Sequence, residues 1–293
     1  MIIHAIQKAR DFLDQTQNSD GGWGYQAGRL SVTEPTALVM LARPSPSAWQ
    51  RAEAWLLRTQ QDDGGWGMSL DDDASNWLTA WAVWALLNAS TEESLLAARQ
   101  GIDWLLDVPV ARTDDPITSG LIGVDPALAG WAWQPDGGAW TEPTALSVIV
   151  LLAAGVSDHP RVREGFAFLR DRVCPDGGWN VGAPFNFGKQ MPSTLYHTVL
   201  TLLALRSGGG KIEDPMVTGG LEVTRELLTA EVAASSLAWG IIALRAWQAD
   251  DASLREQLLK RQSEDGGWEN SPYSTASALL ALQEPEPPFL FGG

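Results

Sequence analysis

Apolar residues recur along this chain at helical spacing, in segments of two alternating kinds. In residues 48–60, Ala52, Trp55 and Leu56 fall on one face, as they do in an amphipathic helix. Residues 33–42, by contrast, are apolar almost throughout. The pattern predicts six pairs, each an amphipathic helix followed by an apolar one, over residues 2–43, 47–89, 92–155, 158–207, 215–248 and 251–283.

The alternation of polar and apolar helices predicts two layers. The amphipathic first helices form the outer layer and the apolar second helices the inner one. An open stack of repeats needs polar capping repeats at both ends, yet the terminal pairs resemble the middle ones. We therefore predict an all-α protein whose six hairpins close into an α6/α6 barrel, a toroid, as a single domain over residues 1–293.

A short motif, DGGW, recurs where the first helix of a pair ends. Glycine adopts the left-handed conformation that ends a helix, aspartate holds the turn, and tryptophan packs across the helix end. We predict a structural role, in which the motif clamps each outer helix to its neighbour. The copies are Asp20–Trp23, Asp63–Trp66, Asp176–Trp179 and Asp265–Trp268, with DGGAW at Asp136–Trp140 as a fifth. Most copies follow a glutamine: Gln17, Gln60, Gln134 or Gln262.

The phrase TEPT opens two of the apolar helices, at Thr33 and Thr141. We predict threonine as the N-cap, proline in the first turn and a glutamate facing the positive end of the helix.

Composition narrows the class of protein. The net charge of -16 and the pI near 4.5 argue against nucleic acid as a partner, because the protein and the nucleic acid would both be negatively charged and repel each other. The single cysteine, Cys174, excludes an intrachain disulfide. The start of the chain lacks a signal-peptide pattern and no segment has the length of a membrane span, which predicts a soluble, cytoplasmic protein.

The glutamine followed by DGGW, set between alternating helices, resembles the QW motif of the squalene–hopene cyclase and protein prenyltransferase β-subunit superfamily. The resemblance covers nearly the whole chain. It implies a toroid around a central apolar cavity that handles isoprenoid chains. Full-length triterpene cyclases have two such domains and this chain has room for one, which leaves open a partner domain or subunit in trans.

Three consecutive acids, Asp71, Asp72 and Asp73, stand before the second apolar helix. Crowding and burial raise carboxyl pKa values, and a carboxyl that stays protonated is what protonation of an alkene requires. The stretch looks like the DxDD motif of class II terpene cyclases, with Asp73 as the implied proton donor, although Ala74 replaces the final aspartate. The alternative is an acidic cap on the helix dipole.

Tryptophan is unusually frequent, with 15 copies against 3 Tyr and 7 Phe. Trp77, Trp81 and Trp84 share one helical face. They either face the cavity, where their rings would stabilise a carbocation, or pack in the core. The other candidates for contact with substrate are Trp131, Trp133, Trp140, Tyr196 and Trp239.

His197 is the one histidine on a predicted inner helix, in a YHT segment that resembles the segment carrying the zinc-ligand histidine of protein prenyltransferases. The rest of that ligand set is missing, since aspartates stand where a cysteine is needed. We therefore predict no metal and no cofactor. His197 or Tyr196 is the candidate acceptor of the final proton, and the alternative is a merely hydrogen-bonded histidine.

The sequence thus predicts an isoprenoid-handling enzyme that is most similar to class II terpene cyclases and binds an apolar small molecule. The alternative is a non-catalytic toroid that binds a lipid or a protein. The predicted mouth loops carry too few cations for a prenyl diphosphate (Arg29, Arg112 and Lys189), and peripheral contact with a membrane stays open. Long loops at 107–136 and 180–193 are expected to be lids or binding loops, and the apolar tail, 285–293, a docked segment or a contact surface.

Overall fold

Half-buried and fully buried helices alternate along the chain in the computed structural model, which describes residues 2–114, 119–120, 123–229 and 232–283. The apolar tail lies outside the described residues. Over the described residues the helices are α1 (Ile2–Gln15), α2 (Thr33–Leu41), α3 (Pro46–Thr59), α4 (Thr79–Leu86), α5 (Glu92–Asp107), α6 (Thr141–Ala153), α7 (Pro160–Asp171), α8 (Leu195–Ser207), α9 (Pro215–Leu227), α10 (Ala234–Ala246), α11 (Ala252–Lys260) and α12 (Pro272–Leu282).

The helices follow the predicted pairs in order, and the all-α prediction is confirmed. Odd-numbered helices bury one face, whereas α2 and α4 are buried along their whole length and α12 is buried at every residue except Tyr273. The described strands form two short antiparallel hairpins. Strand β1 (Trp131–Ala132) pairs with β2 (Ala139–Trp140), and β3 (Phe185–Asn186) pairs with β4 (Lys189–Gln190).

The described residues form two compact units. Unit 1 holds those within 1–105, 233–242 and 250–289. In it, α2 packs against α3, α4 and α12, and α12 packs against α1 and α11. The Gln262 amide donates to the carbonyl of Ala5 at 2.8 Å. The first and last helix pairs are therefore in contact within this unit.

Unit 2 holds the described residues within 106–232 and 243–249. Its inner helices α6 and α8 pack against each other, and their outer partners are α7 for α6 and α9 for α8. The closed barrel and the single domain over residues 1–293 stay predictions.

The DGGW motif joins three helices, as its second copy shows. The Trp66 backbone N–H donates to Thr79 Oγ1 at the start of α4, and the indole N–H donates to the Leu56 carbonyl of α3, both at 2.8 Å. Gln60 donates to the Ala97 carbonyl of α5 at 3.0 Å. The same tryptophan-to-threonine bond recurs at Trp23–Thr36, Trp179–Thr198 and Trp268–Thr275. Where it occurs, the motif thus fixes an outer helix to its own inner helix. The glutamine before it, Gln17, Gln60 or Gln262, fixes that outer helix to the next one.

In the third pair, Trp131 performs this role and Trp140 does not. The Trp131 backbone N–H donates to Thr144 Oγ1 at 2.8 Å, and its ring lies against Gly165, where a Cβ atom would come within 2.8 Å. Trp131 is 2% exposed, whereas Trp140 is half-buried. The prediction that DGGAW is the repeat copy was therefore wrong. Trp131 is buried in the repeat position, and its contact with a substrate stays a prediction.

The N-cap prediction for TEPT was also wrong. Thr33 is the first residue of α2, its neighbour Val32 occupies the cap position, and no side chain caps the helix. The Thr33 hydroxyl donates instead to the carbonyl of Gly67 at 2.7 Å, and its N–H donates to that of Met68 at 2.9 Å. Thr33 therefore ties its helix to the loop of the next pair.

Candidate functional site

The tryptophan-to-threonine bond gives the inner helices a common register, which defines a position for functional side chains. The residue two positions before that threonine is rotated from it by roughly 200° about the helix axis. This position therefore lies on the side of the helix opposite the clamp and away from the outer layer. It falls at or just before the amino-terminal end of each inner helix. The residues at this position are Glu34, Trp77, Glu142, Tyr196 and Tyr273.

Glu34 in unit 1 is a buried carboxyl held by two phenols. It is 5% exposed, its Oε2 accepts a hydrogen bond from the Tyr25 hydroxyl, and Tyr273 also bonds to it through its side chain. The rings of Tyr25 and Tyr273 lie 5.6 Å apart. Burial raises the pKa of Glu34 from 4.5 to about 7, against the opposing effect of the two hydrogen bonds. A large share of the molecules therefore carry a neutral carboxyl at neutral pH.

The raised pKa of Glu34 predicts a specific loss of stability with rising pH. Between pH 4.5 and 7 the folded protein holds a proton that the unfolded chain releases, so this contribution is full below pH 4.5 and is lost as pH rises through about 7. The change amounts to about 3 kcal/mol. Urea unfolding across this range should show it as a difference between the wild type and Glu34→Gln. Parallel stability curves for the two proteins would show that Glu34 titrates normally.

The three aspartates occupy a different environment from the one predicted. Asp71 and Asp73 are exposed and Asp72 is half-buried. Asp72 organises the loop: its Oδ2 accepts from the Met68 N–H, and its carbonyl accepts from Gln61, both at 2.7 Å. The predicted burial of Asp73 was wrong, because the loop places these residues in solvent.

The acidic helix cap proposed as the alternative is not formed either. Helix α4 begins only at Thr79, and Asn76, not an aspartate, accepts the Leu78 N–H in the turn before it. The polar residues that the loop buries are Ser75 and Asn76.

Trp81, Trp84 and Trp239 form a closed aromatic cluster in unit 1. Trp81 stacks on Trp84 at 5.5 Å and meets the edge of Trp239 at 6.1 Å. All three are at most 2% exposed. A side chain that lines a water-accessible cavity has solvent-exposed surface. Because these three rings have almost none, they line no water-accessible cavity in this structure. Trp77, at the start of the same segment, is half-buried.

His197 lies half-buried in the first turn of α8, in unit 2. Its Nδ1 lies 2.7 Å from Thr194 Oγ1, and Nε2 is buried with no hydrogen-bond partner among the described residues. Burial lowers the pKa of His197, which favours the neutral ring. Tyr196 meets it edge-on at 6.1 Å. Trp133 and Trp140, also in unit 2, are half-buried.

Glu34, Tyr25 and Tyr273 were not predicted as a site from the sequence. One signal was available: Glu34 is an acidic residue inside an otherwise apolar helix, where an unpaired charge is costly. The two tyrosines lie near opposite ends of the chain, so no local pattern connects them.

Two further properties hold for the described part of the chain. No group of three or more His, Cys, Asp or Glu side chains there is arranged to hold a metal ion. None of the described helices has both the length and the apolar character that crossing a membrane requires.

Comparison with solved structures shows where this fold occurs. Type II terpene cyclase MstE from Scytonema matches with a TM-score of 0.65 and 19% identity, over 96% of this chain and 97% of that one. A variant of that cyclase in complex with geranylgeranyl dihydroxybenzoate matches with a TM-score of 0.62, 19% identity and 96% coverage of both chains. An alpha-amylase from Clostridium perfringens matches with a TM-score of 0.68 and 11% identity, over 96% of this chain and 98% of that one.

These similarities establish a shared fold. No protein-family model and no curated protein matches the chain. Because an amylase shares the fold as well as a terpene cyclase, any assignment of function depends on the site.

Proposed function

We propose that this protein handles an isoprenoid-like apolar molecule and cyclises it in the manner of a class II terpene cyclase, with Glu34 as the proton donor. One observation carries the proposal: Glu34 is buried, and burial raises its pKa to about 7. General acids work best when their pKa lies near the working pH, since the acid form is then present and still able to give up its proton.

Glu34 and its two tyrosines account for the first step. The O–H bond of the Glu34 carboxyl breaks and a bond forms from its proton to an alkene carbon or an epoxide oxygen. The carboxylate left behind accepts hydrogen bonds from Tyr25 and Tyr273, which stabilise its charge. A second double bond supplies the electron pair that closes the ring. Loss of a proton from a neighbouring carbon ends the reaction.

The comparisons support this choice of substrate class. Structures of the similar cyclase contain geranylgeranyl dihydroxybenzoate as substrate and merosterolic acid A as product. Because protonation and final deprotonation balance, the product of such a reaction is an isomer of its substrate.

The direct experiment is incubation in D2O with geranylgeranyl dihydroxybenzoate and with squalene, followed by mass spectrometry of the extracted lipids. We expect at least one product that has a changed retention time and carries one deuterium at the protonated carbon. Unchanged substrate in both incubations, with folded protein confirmed by circular dichroism, would argue against cyclisation of these polyprenes.

A second function, binding without chemistry, is favoured by the closed aromatic cluster. Trp81, Trp84 and Trp239 fill the space between their helices and line no hollow as they stand. A toroid filled in this way binds a lipid or a protein elsewhere on its surface. Native mass spectrometry that finds a lipid bound, but the same lipid unconverted after incubation, would favour this function.

A further inference from the structure

A cavity of about 330 Å³ lies within unit 2, beneath the two long loops. Its volume is at the lower end of the roughly 300–1,000 Å³ found for small-molecule sites. The apolar part of its lining comes from the first long loop, the segment before α6 and the outer helix α7. The residues concerned are Val124, Pro126, Leu128, Ala139 and Trp140, with the fully buried Phe168 packed behind them. The second long loop completes the wall with Gly182 and Ala183.

Two backbone hydrogen bonds and one from a side chain hold the walls of this cavity in place. The Ala111 N–H donates to the Gly137 carbonyl at 2.8 Å, which joins the first loop to the segment before α6. The Thr141 N–H donates to the Val181 carbonyl at 3.0 Å, which joins that segment to the second loop. The Arg172 side chain, which follows α7, donates to the Asp125 carbonyl in the first loop at 3.0 Å. The cavity is thus formed before any ligand arrives.

The charges around the cavity are already compensated. Arg112 forms an ion pair with Glu164, using both terminal nitrogens. Arg172 is paired with Asp171, and its guanidinium lies 4.4 Å from the centre of the Phe168 ring. An anionic ligand would have to compete with these carboxylates and with the negative charge of the whole protein. The cavity therefore favours an uncharged ligand.

We propose that this cavity is a binding site for a small, neutral, apolar molecule whose flat or unsaturated part packs against Trp140. Trp140 is half-buried at the cavity wall and supplies a broad aromatic surface. The site uses none of the residues assigned to proton transfer, so it exists whether or not the protein is a cyclase.

The test is a fluorescence titration of the purified full-length protein with N-phenyl-1-naphthylamine, a neutral apolar probe. We expect saturable binding. Leu128→Trp and Ala183→Trp each place a large ring in the cavity, and each should weaken the affinity at least tenfold. Leu96→Trp, which adds the same ring to an exposed position of α5, is the matched control and should leave the affinity unchanged. The anionic probe 8-anilinonaphthalene-1-sulfonate should bind at least tenfold more weakly than the neutral one.

Three results would overturn the proposal. They are the absence of saturable binding by the wild type, unchanged affinity in both cavity-filling variants, and equal affinity for the neutral and anionic probes. Circular dichroism of each variant shows whether a loss of binding comes from loss of the fold. Because two variants fill the cavity from different positions, the test stays decisive if one of them does not fold.

Discussion

Glu34→Gln should reduce the rate of cyclisation by roughly 10²–10⁴-fold, the usual contribution of a general acid. Glutamine has nearly the same shape and can still accept hydrogen bonds from Tyr25 and Tyr273, but it has no acidic proton to transfer. The fold should survive, because removing a titratable group from this buried position does not open a cavity. Single-turnover rates with the substrate that the wild type converts best are the appropriate measurement.

Asp73→Asn is the competing variant, since the resemblance to class II cyclases implies Asp73 as the donor. Asp73 is exposed to solvent, whereas Glu34 is buried, and we expect the replacement of Asp73 to change the rate little. The reverse outcome, in which Asp73→Asn is inactive and Glu34→Gln retains its rate, would transfer the donor role to the aspartate loop.

Trp131→Ala should destabilise the protein by about 3–5 kcal/mol, the usual cost of removing a large buried aromatic ring. The substitution leaves a cavity against Gly165 and removes the packing of the Arg161 guanidinium, which lies 4.7 Å from the centre of the Trp131 ring. Trp140→Ala, at the half-buried tryptophan of DGGAW, should cost about 1 kcal/mol. Urea unfolding of the two variants beside the wild type measures both effects.

The comparison between these variants tests the register of the third repeat. Equal losses would mean that both rings are structural. A larger loss for Trp140→Ala would restore DGGAW as the repeat copy.

The helices and their alternation could be predicted from the sequence because the spacing of apolar residues along one helix is a local property. The apolar residues of α3 recur every three or four positions, and those of α2 are continuous. The clamp role of DGGW was equally local, since Trp66 bonds to a residue ten positions before it and another thirteen after it.

The third repeat shows where local patterns fail. Residues Asp136–Trp140 nearly match the motif in sequence. They do not occupy the motif's position relative to Thr144, however, and that position is defined only by the folded backbone. The segment that does occupy the position, Gly130–Trp131, lacks the aspartate that identifies the other copies.

For the candidate site, the type of chemical group could be predicted from the sequence, but the residue that supplies it could not. A buried, protonated carboxyl was expected, but on the aspartates at 71–73, where three adjacent acids attracted attention. The structure buries Glu34 instead, and two tyrosines that are distant in sequence reach it. Burial depends on packing between α2, α4 and α12, and no pattern within one segment reports it.

The infrared spectrum of the Glu34 carboxyl tests the central claim most directly. The difference between the spectra of the wild type and Glu34→Gln, recorded across the pH range, isolates the carbonyl band of the protonated acid. We expect that band to persist above pH 6 and to disappear with a midpoint of about 7. A band that is lost near 4.5, as for an ordinary exposed glutamate, would contradict the assignment of Glu34 as the proton donor.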